Sequence, residues 1–254
     1  PIRDGSGNSI GSIRLGDGSE IAEVRTGAGD VLFSAIPDTS MFQSPLYQFS
    51  AAKLNVADGT TGVTFPETLA GLSDPTVVGG PTFRENQDGF KAIEFDGSDH
   101  HEWTPDSNLP TGADPHSWAA LVYLPALPSG EKFTVCGYGA GNTNETTTIQ
   151  FDGFDSGKLL STFFSGDIVG SVPSTNQWIT VGVSYDGSNR TLYLDGSPDN
   201  SDSPGPVNVQ NANHTIARSP FSPNGFNGFI AEVILCDAAE SDQAFSDYHA
   251  NRLL

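Results

Sequence analysis

Residues 178–196 read WITVGVSYDGSNRTLYLDG, and no other stretch constrains the fold as tightly. Ile179, Val181, Val183 and Tyr185 alternate with Trp178, Thr180, Gly182 and Ser184, a period of two with one apolar face. Asp186-Gly187 and Asp195-Gly196 are turn dipeptides, so the stretch is a strand, a hairpin and the start of another. Both aspartates are expected to cap turns. Strands of the same kind are expected at 91–96, 117–125, 132–139, 146–153, 158–165, 190–196, 213–219 and 226–237. With 29 Gly and 17 Pro punctuating them, they predict an all-β fold, a two-sheet antiparallel sandwich. Trp118 and Trp178 lie inside strands and are expected in the core. Residues 241–254 break the pattern. Ser241 is placed to cap a helix, and Phe245, Tyr248 and Leu253 recur at helical spacing.

The chain of 254 residues is long enough for one large β domain with an appendage. Residues 9–34 carry short alternating stretches separated by GDGS and GAGD turns. This meander is too small to hold a core alone. It should pack on the main domain, a second copy or a partner, with 35–40 as a linker. The expected division is therefore 1–40 and 41–254. The first residues contain no apolar signal segment, and no stretch is long and apolar enough to span a membrane. Pro1 is consistent with a removed initiator Met, so synthesis in the cytoplasm is expected.

Thirty-one acidic residues face eleven basic ones, a formal net charge of −20. Such a field repels phosphate and excludes nucleic-acid binding by phosphate neutralisation. The acids are spread from Asp4 to Asp247 without long runs. That favours a surface adapted to molar salt, where self-repulsion is screened over about 3 Å. Calcium binding is the other reading. Cys136 and Cys236 both sit in apolar strands and read as buried small hydrophobes, with one bridge left open.

Four motifs in order, AIEFDGSD, then QWITVGVSYDGSNRTLYLDG, then IAR, then FNGFIAEVILCDAAESDQAFSDYHANRLL, resemble the laminin-G-like, concanavalin A-like jelly-roll domains. The resemblance spans roughly residues 45–254 and departs at Ala217, where the family prefers Gly. It also lacks the family's frequent C-terminal disulfide partner. The resemblance implies a jelly roll that binds glycans or proteins, often with calcium, through loops at one edge. Enzymes exist on the same fold, so fold alone does not decide. The stretch IRLGDGSEIAEVRTGAGDVLF is similar to strand–turn segments that begin phage tail and baseplate proteins. Together these imply a virion-surface adhesin of a halophilic virus. Its jelly roll would meet a host glycan or glycoprotein, and residues 1–40 would join other virion subunits, with a homo-oligomer expected. A structural turret, decoration or baseplate subunit and a concanavalin A-like glycoside hydrolase are the alternatives.

The densest cluster of reactive side chains is KAIEFDGSDHHEW, residues 91–103. Glu94 and Asp96 share a strand face, as a carboxylate pair of a glycosidase would. Gly97-Ser98 turns the chain at once, so Asp99 leaves that face. No catalytic residue is assigned, and the chain is expected not to be an enzyme. His100 and His101 are neighbours, and extended neighbours point apart, so they cannot readily share an ion. For calcium, which takes six to eight oxygens, the candidates are Asp96, Asp99 and Glu102 in one loop, with Asp152 and Asp155 in another. For sugar stacking the candidates are Trp103, expected exposed after a polar loop, then Tyr138 and Phe154 in Gly-rich settings.

Overall fold

A computed structural model describes residues 23–25, 31–34, 41–69, 72–104 and 107–253. The chain divides into two compact units, Pro1–Thr39 and Ser40–Leu254. In the first, β1 (Glu23–Arg25) pairs antiparallel with β2 (Val31–Ser34), Val24 opposite Phe33. The rest of the expected meander, and the linker, lie outside the described residues.

Among the described residues the second unit holds fifteen strands. In chain order they are β3 (Pro45–Ser50), β4 (Thr76–Val78), β5 (Thr82–Gln87), β6 (Phe90–Asp96) and β7 (His100–Trp103). There follow β8 (His116–Tyr123), β9 (Lys132–Gly139), β10 (Thr146–Asp152), β11 (Lys158–Thr162) and β12 (Asp167–Val169). The last are β13 (Trp178–Tyr185), β14 (Arg190–Leu194), β15 (Ser197–Asp202), β16 (His214–Ile216) and β17 (Asn227–Cys236), before the helix α1 (Asp242–Leu253). They form two antiparallel sheets. One has the order β12-β11-β10-β9-β16-β7-β4. The other runs β15-β14-β13-β8-β17-β6-β5, with β3 also paired to β17. All nine strands anticipated from alternation are present, and the architecture is the all-β sandwich expected, with one C-terminal helix.

The alternation in β13 does what it implies. Ile179, Val181, Val183 and Tyr185 enter the core between the sheets with Trp118, Val122, Phe151 and Ile216. The D-G dipeptides form the turns. Asp195 and Gly196 both take positive φ, +48° and +74°, as a two-residue hairpin turn demands. Asp186 Oδ1 accepts the backbone N–H of Ser188 and of Asn189, at 2.8 and 2.6 Å.

A second apolar cluster covers the outer face of the larger sheet, where Ala119, Leu121 and Tyr193 lie under Phe42, Phe245 and Tyr248. Ser241 caps α1 as expected, its Oγ accepting from Ala244 N at 3.2 Å. The Phe245 ring stacks on Tyr193 with centroids 3.8 Å apart. A Cβ on Gly182 would stand 2.3 Å from that ring, so the glycine makes room for it. Glu232, 2% exposed, is held by Arg252 Nε at 2.9 Å and Gln48 Nε2 at 2.6 Å. This tie fastens the end of α1 to β17 and β3. Cys136 and Cys236 are free and buried, not bridged, and burial pushes both thiols well up.

One expectation is corrected. Gly97, at φ +94°, does end the strand after Asp96, but no polar loop follows. The chain crosses to the smaller sheet and resumes as β7.

Candidate functional site

The register of the smaller sheet aligns a row of residues on its outer face. Thr76 lies opposite Glu102, Glu102 opposite Thr215, Thr215 opposite Gly137, Gly137 opposite Thr148, and Thr148 opposite Thr162. Paired residues share a face, so this row is small, hydroxylated and in one place acidic. The alternate residues of β7 point inward. His101 Nε2 lies 2.8 Å from the carbonyl of Val63, and the Trp103 ring stacks on His214 at 4.9 Å. Adjacent histidines therefore diverge, as expected, yet both are buried.

The segment 217–226, between β16 and β17, rises over this row. Ala217 has φ +66°, in the left-handed region that favours glycine, and is completely buried. Its N–H donates to Val135 O at 2.7 Å, and its carbonyl accepts from Phe226 N at 2.9 Å. Thr215 Oγ1 donates to Arg218 O at 2.7 Å. Ser219 N donates to Asn224 O at 2.9 Å, closing the loop. A Cβ on Gly225 would lie 1.9 Å from Gly97 O, so the loop base can approach the β6–β7 turn only with glycine there. At the loop tip the Phe221 ring meets Phe164 edge-on at 4.7 Å.

Between loop and sheet lies a cleft of about 580 Å³, lined by Thr76, Glu102, Thr104, Asn213, Thr215, Arg218 and Phe221 among others. A smaller cavity of about 330 Å³ lies against the other side of Arg218, lined by Val78, Ser98, Asp99, His100 and Pro223. Arg218 Nη1 is 3.0 Å from His100 Nε2, and Glu102 Oε2 is 3.7 Å from the same nitrogen. Burial, and next the Arg218 charge, lower the His100 pKa, so the ring is neutral at pH 7 and accepts from the guanidinium. The site thus offers one carboxylate, one guanidinium, hydroxyls and amides, and an aromatic wall.

The anticipated residues divide. Glu102 and Trp103 line the larger cleft, and Asp99 lines the smaller. Trp103 is 4% exposed, packed on Phe49 at 4.7 Å, so it is a core ring and not the exposed platform expected. Tyr138 is likewise corrected: it is fully buried, and its hydroxyl donates to Pro110 O at 2.8 Å. Phe154 is 73% exposed but lies in the β10–β11 turn and lines neither cleft.

The acids named for calcium do not converge. Asp96 Oδ1 accepts from Ser98 N at 2.8 Å, Ser98 Oγ at 2.7 Å and Asp99 N at 3.2 Å. Asp99 Oδ1 accepts from Gly80 N at 2.6 Å. Asp152 lies 3.5 Å from Lys132 Nζ, and Asp155 lies 3.1 Å from Lys158 Nζ. Among the described residues no three His, Cys, Asp or Glu side chains gather as a metal site. These carboxylates are occupied by turns and ammonium groups, which a sequence cannot distinguish from metal ligands.

The missing members, Thr76, Asn213, Thr215, Arg218 and Phe221, come from three separate segments. One signal pointed there: Ala217 stands where the family prefers Gly, and the position proves to have positive φ.

The family described as Laminin_G_3, concanavalin A-like lectin/glucanases superfamily, matches residues 95–244. No curated protein matches the chain in sequence. Among solved structures, domain 4 of AbnA, a GH43 extracellular arabinanase from Geobacillus stearothermophilus in complex with arabinotriose, superposes with a TM-score of 0.62 at 18% identity. That match covers 81% of this chain and 98% of that one. Trypanosoma rangeli sialidase in complex with sialic acid gives 0.58 at 13% identity, covering 92% of this chain and 36% of that one. A structure described as HCR/D-Sa-GBL1/C gives 0.59 at 13%, covering 83% and 52%. This chain thus spans about a third of the sialidase and half of the last, and identities this low show the fold alone. The motif order, the sandwich and the family match agree: the chain belongs to the concanavalin A-like lectin/glucanase superfamily, as a laminin-G-like domain.

Proposed function

We propose that the chain is a non-catalytic adhesion module that binds glycan in the cleft beneath the 217–226 loop. The observation that carries this reading is the cleft itself, about 580 Å³ and lined by hydroxyl, amide, carboxylate and guanidinium groups beside Phe221. Its size falls within the roughly 300–1,000 Å³ of small-ligand sites. Its lining suits a molecule that presents both hydroxyls and an apolar ring face. The arabinanase domain seen with arabinotriose gives a precedent on the same fold.

Hydrolysis is the weaker reading. A glycosidase needs two facing carboxyl groups, one with a raised pKa. Glu102 is the carboxylate lining the larger cleft. Of the pair that resembled a glycosidase, Glu94 is bound to Arg84 at 2.6 Å, and Asp96 has its pKa lowered by the hydrogen bonds from Ser98.

The wider setting rests on sequence: a virion surface in a high-salt environment, with residues 1–40 contacting other virion subunits or further copies. The net charge of −20 and the strand–turn N-terminus support it. Folding that is unchanged in low salt would count against the halophilic setting.

The functional test is glycan-array binding in molar salt, with Glu102→Gln, Asn213→Ala and Phe221→Ala as variants. Losses of roughly tenfold per variant, about 1.4 kcal/mol each, are expected. Release of reducing ends by the wild type, abolished in Glu102→Gln, would instead make the cleft catalytic. Absence of glycan binding together with self-assembly through residues 1–40 would favour a structural subunit.

A further inference from the structure

Arg218 is set apart from the other cations. Arg84, Lys91, Lys132, Lys158, Arg190 and Arg252 each have a carboxylate within 4.0 Å. Among the described residues of the second unit, Arg218 and Lys53 do not. Lys53 is exposed, whereas Arg218 is half-buried and lines both cavities. In a chain of net charge −20, acidic partners are abundant, so an unpaired guanidinium in a cleft is an unusual arrangement. No carboxylate among the described residues forms an ion pair with it, although Glu102 shares its His100 neighbour. Nη1 is spent on the neutral His100, and Nε makes a long 3.5 Å bond to Ser222 O. Nη2 has no protein acceptor among the described residues. Glu102 Oε2 stands 3.7 Å from His100 Nε2, beyond hydrogen-bond distance, and Asp99 Oδ1 accepts from Gly80 N.

The backbone that carries this guanidinium is also held in place. The Arg218 carbonyl accepts from Thr215 Oγ1 at 2.7 Å, and the residue before it, Ala217, sits at φ +66°. Backbone strain of this kind gathers at ligand clamps.

From these observations we infer that the cleft selects a carboxylated sugar, a uronic or sialic acid residue within a glycan, with Arg218 receiving the carboxylate. Guanidinium and carboxylate match in shape and charge, and charge-assisted hydrogen bonds are about twice as strong as neutral ones. Glu102 and Asn213 then serve the sugar's hydroxyls. Long-range repulsion from the acidic surface is screened within about 3 Å at molar salt, so the local contact decides selectivity there. The inference rests on the glycan-binding reading above and specifies its ligand.

The test titrates the full chain in molar salt with galacturonate and glucuronate trisaccharides and with sialyllactose. Each is compared with the same sugar whose carboxyl is reduced to hydroxymethyl. Preference for the acid form by roughly tenfold or more is expected, the scale of one charge-assisted bond. The uronate and sialate arms show which acid is taken. In Arg218→Gln the acid-to-neutral ratio should collapse to about threefold or less, with Arg218→Lys intermediate, since Lys keeps the charge and loses the fork. Circular dichroism confirms that the variants fold. Equal binding of acid and reduced forms, or an unchanged ratio in Arg218→Gln, overturns the inference and leaves glycan binding intact. No binding of either form overturns both.

Discussion

On the outer face of the larger sheet, Ala119, Leu121 and Tyr193 lie under Phe42, Phe245 and Tyr248. On the outer face of the smaller sheet, the aligned residues are Thr76, Glu102, Thr215, Gly137 and Thr148. Both faces are built on strands with apolar inner sides. The first is closed by a helix and contributes stability. The second is crossed by a loop and left with two cavities. A sandwich needs only its inner faces to fold, so the outer faces are free to diverge. Here one became a second core and the other a cleft.

The comparison is broken most severely by removing the helix's anchor. Phe245→Ala deletes a ring 2% exposed that contacts both Tyr193 and Phe42. It should cost about 3–5 kcal/mol in urea denaturation and leave glycan affinity unchanged once the protein is folded. If affinity falls in proportion to stability, the two faces are not independent.

Acid should act next, through the core between the sheets. Burial lowers the pKa of His101 and of His116 to about 4, from an ordinary 6.5. Each folded-state pKa is depressed, so the unfolded chain binds the protons first. Stability contributed by the neutral rings is complete above pH 6.5 and is lost as pH falls toward 4. The loss should reach roughly 3 kcal/mol per histidine. Comparing wild type with His101→Gln between pH 7 and 4.5 isolates one such contribution. An identical pH slope in the two proteins would contradict it.

A smaller effect sharpens the picture of the cleft loop. Ala217→Gly relieves positive φ at a buried position and should raise stability by about 1 kcal/mol. A loss would mean that the packing of the Ala217 methyl outweighs its strain. The smallest effect on stability is expected from Glu102→Gln, within about 0.5 kcal/mol, because that side chain is 48% exposed. The same change should weaken glycan binding, and that separation of stability from binding is what the contrast of faces requires.

Much of the fold was legible because alternation is a local signal. WITVGVSY declares an alternating apolar face, and FIAEVILC a run, apolar except for Glu232, buried on both sides, without outside help. The strands that escaped notice are the ones whose environment is set by distant partners. Ser197–Asp202 is polar throughout and pairs at the sheet edge with β14. His100–Trp103 looks like a charged loop, because two of its four residues are histidines that only the neighbouring strands bury. His100 and His101 diverge as extended neighbours must, so that one enters the core and the other holds Arg218. The cleft was legible only in part for the same reason. Glu102 and Trp103 are separated from Asn213 by more than a hundred residues of chain and meet it through the β7–β16 pairing. Asp96, Asp186 and Asp195 show the converse, for turns account for them locally and no ligand is needed.

The most direct test is amide chemical-shift mapping of the folded chain during titration with the galacturonate and glucuronate trisaccharides and sialyllactose. Perturbations are expected at Thr76, Glu102, Asn213, Thr215 and Arg218–Ser222, on the smaller sheet's outer face. Perturbations confined to α1 and the larger sheet, or to the Phe154 turn, would contradict the cleft as the binding site.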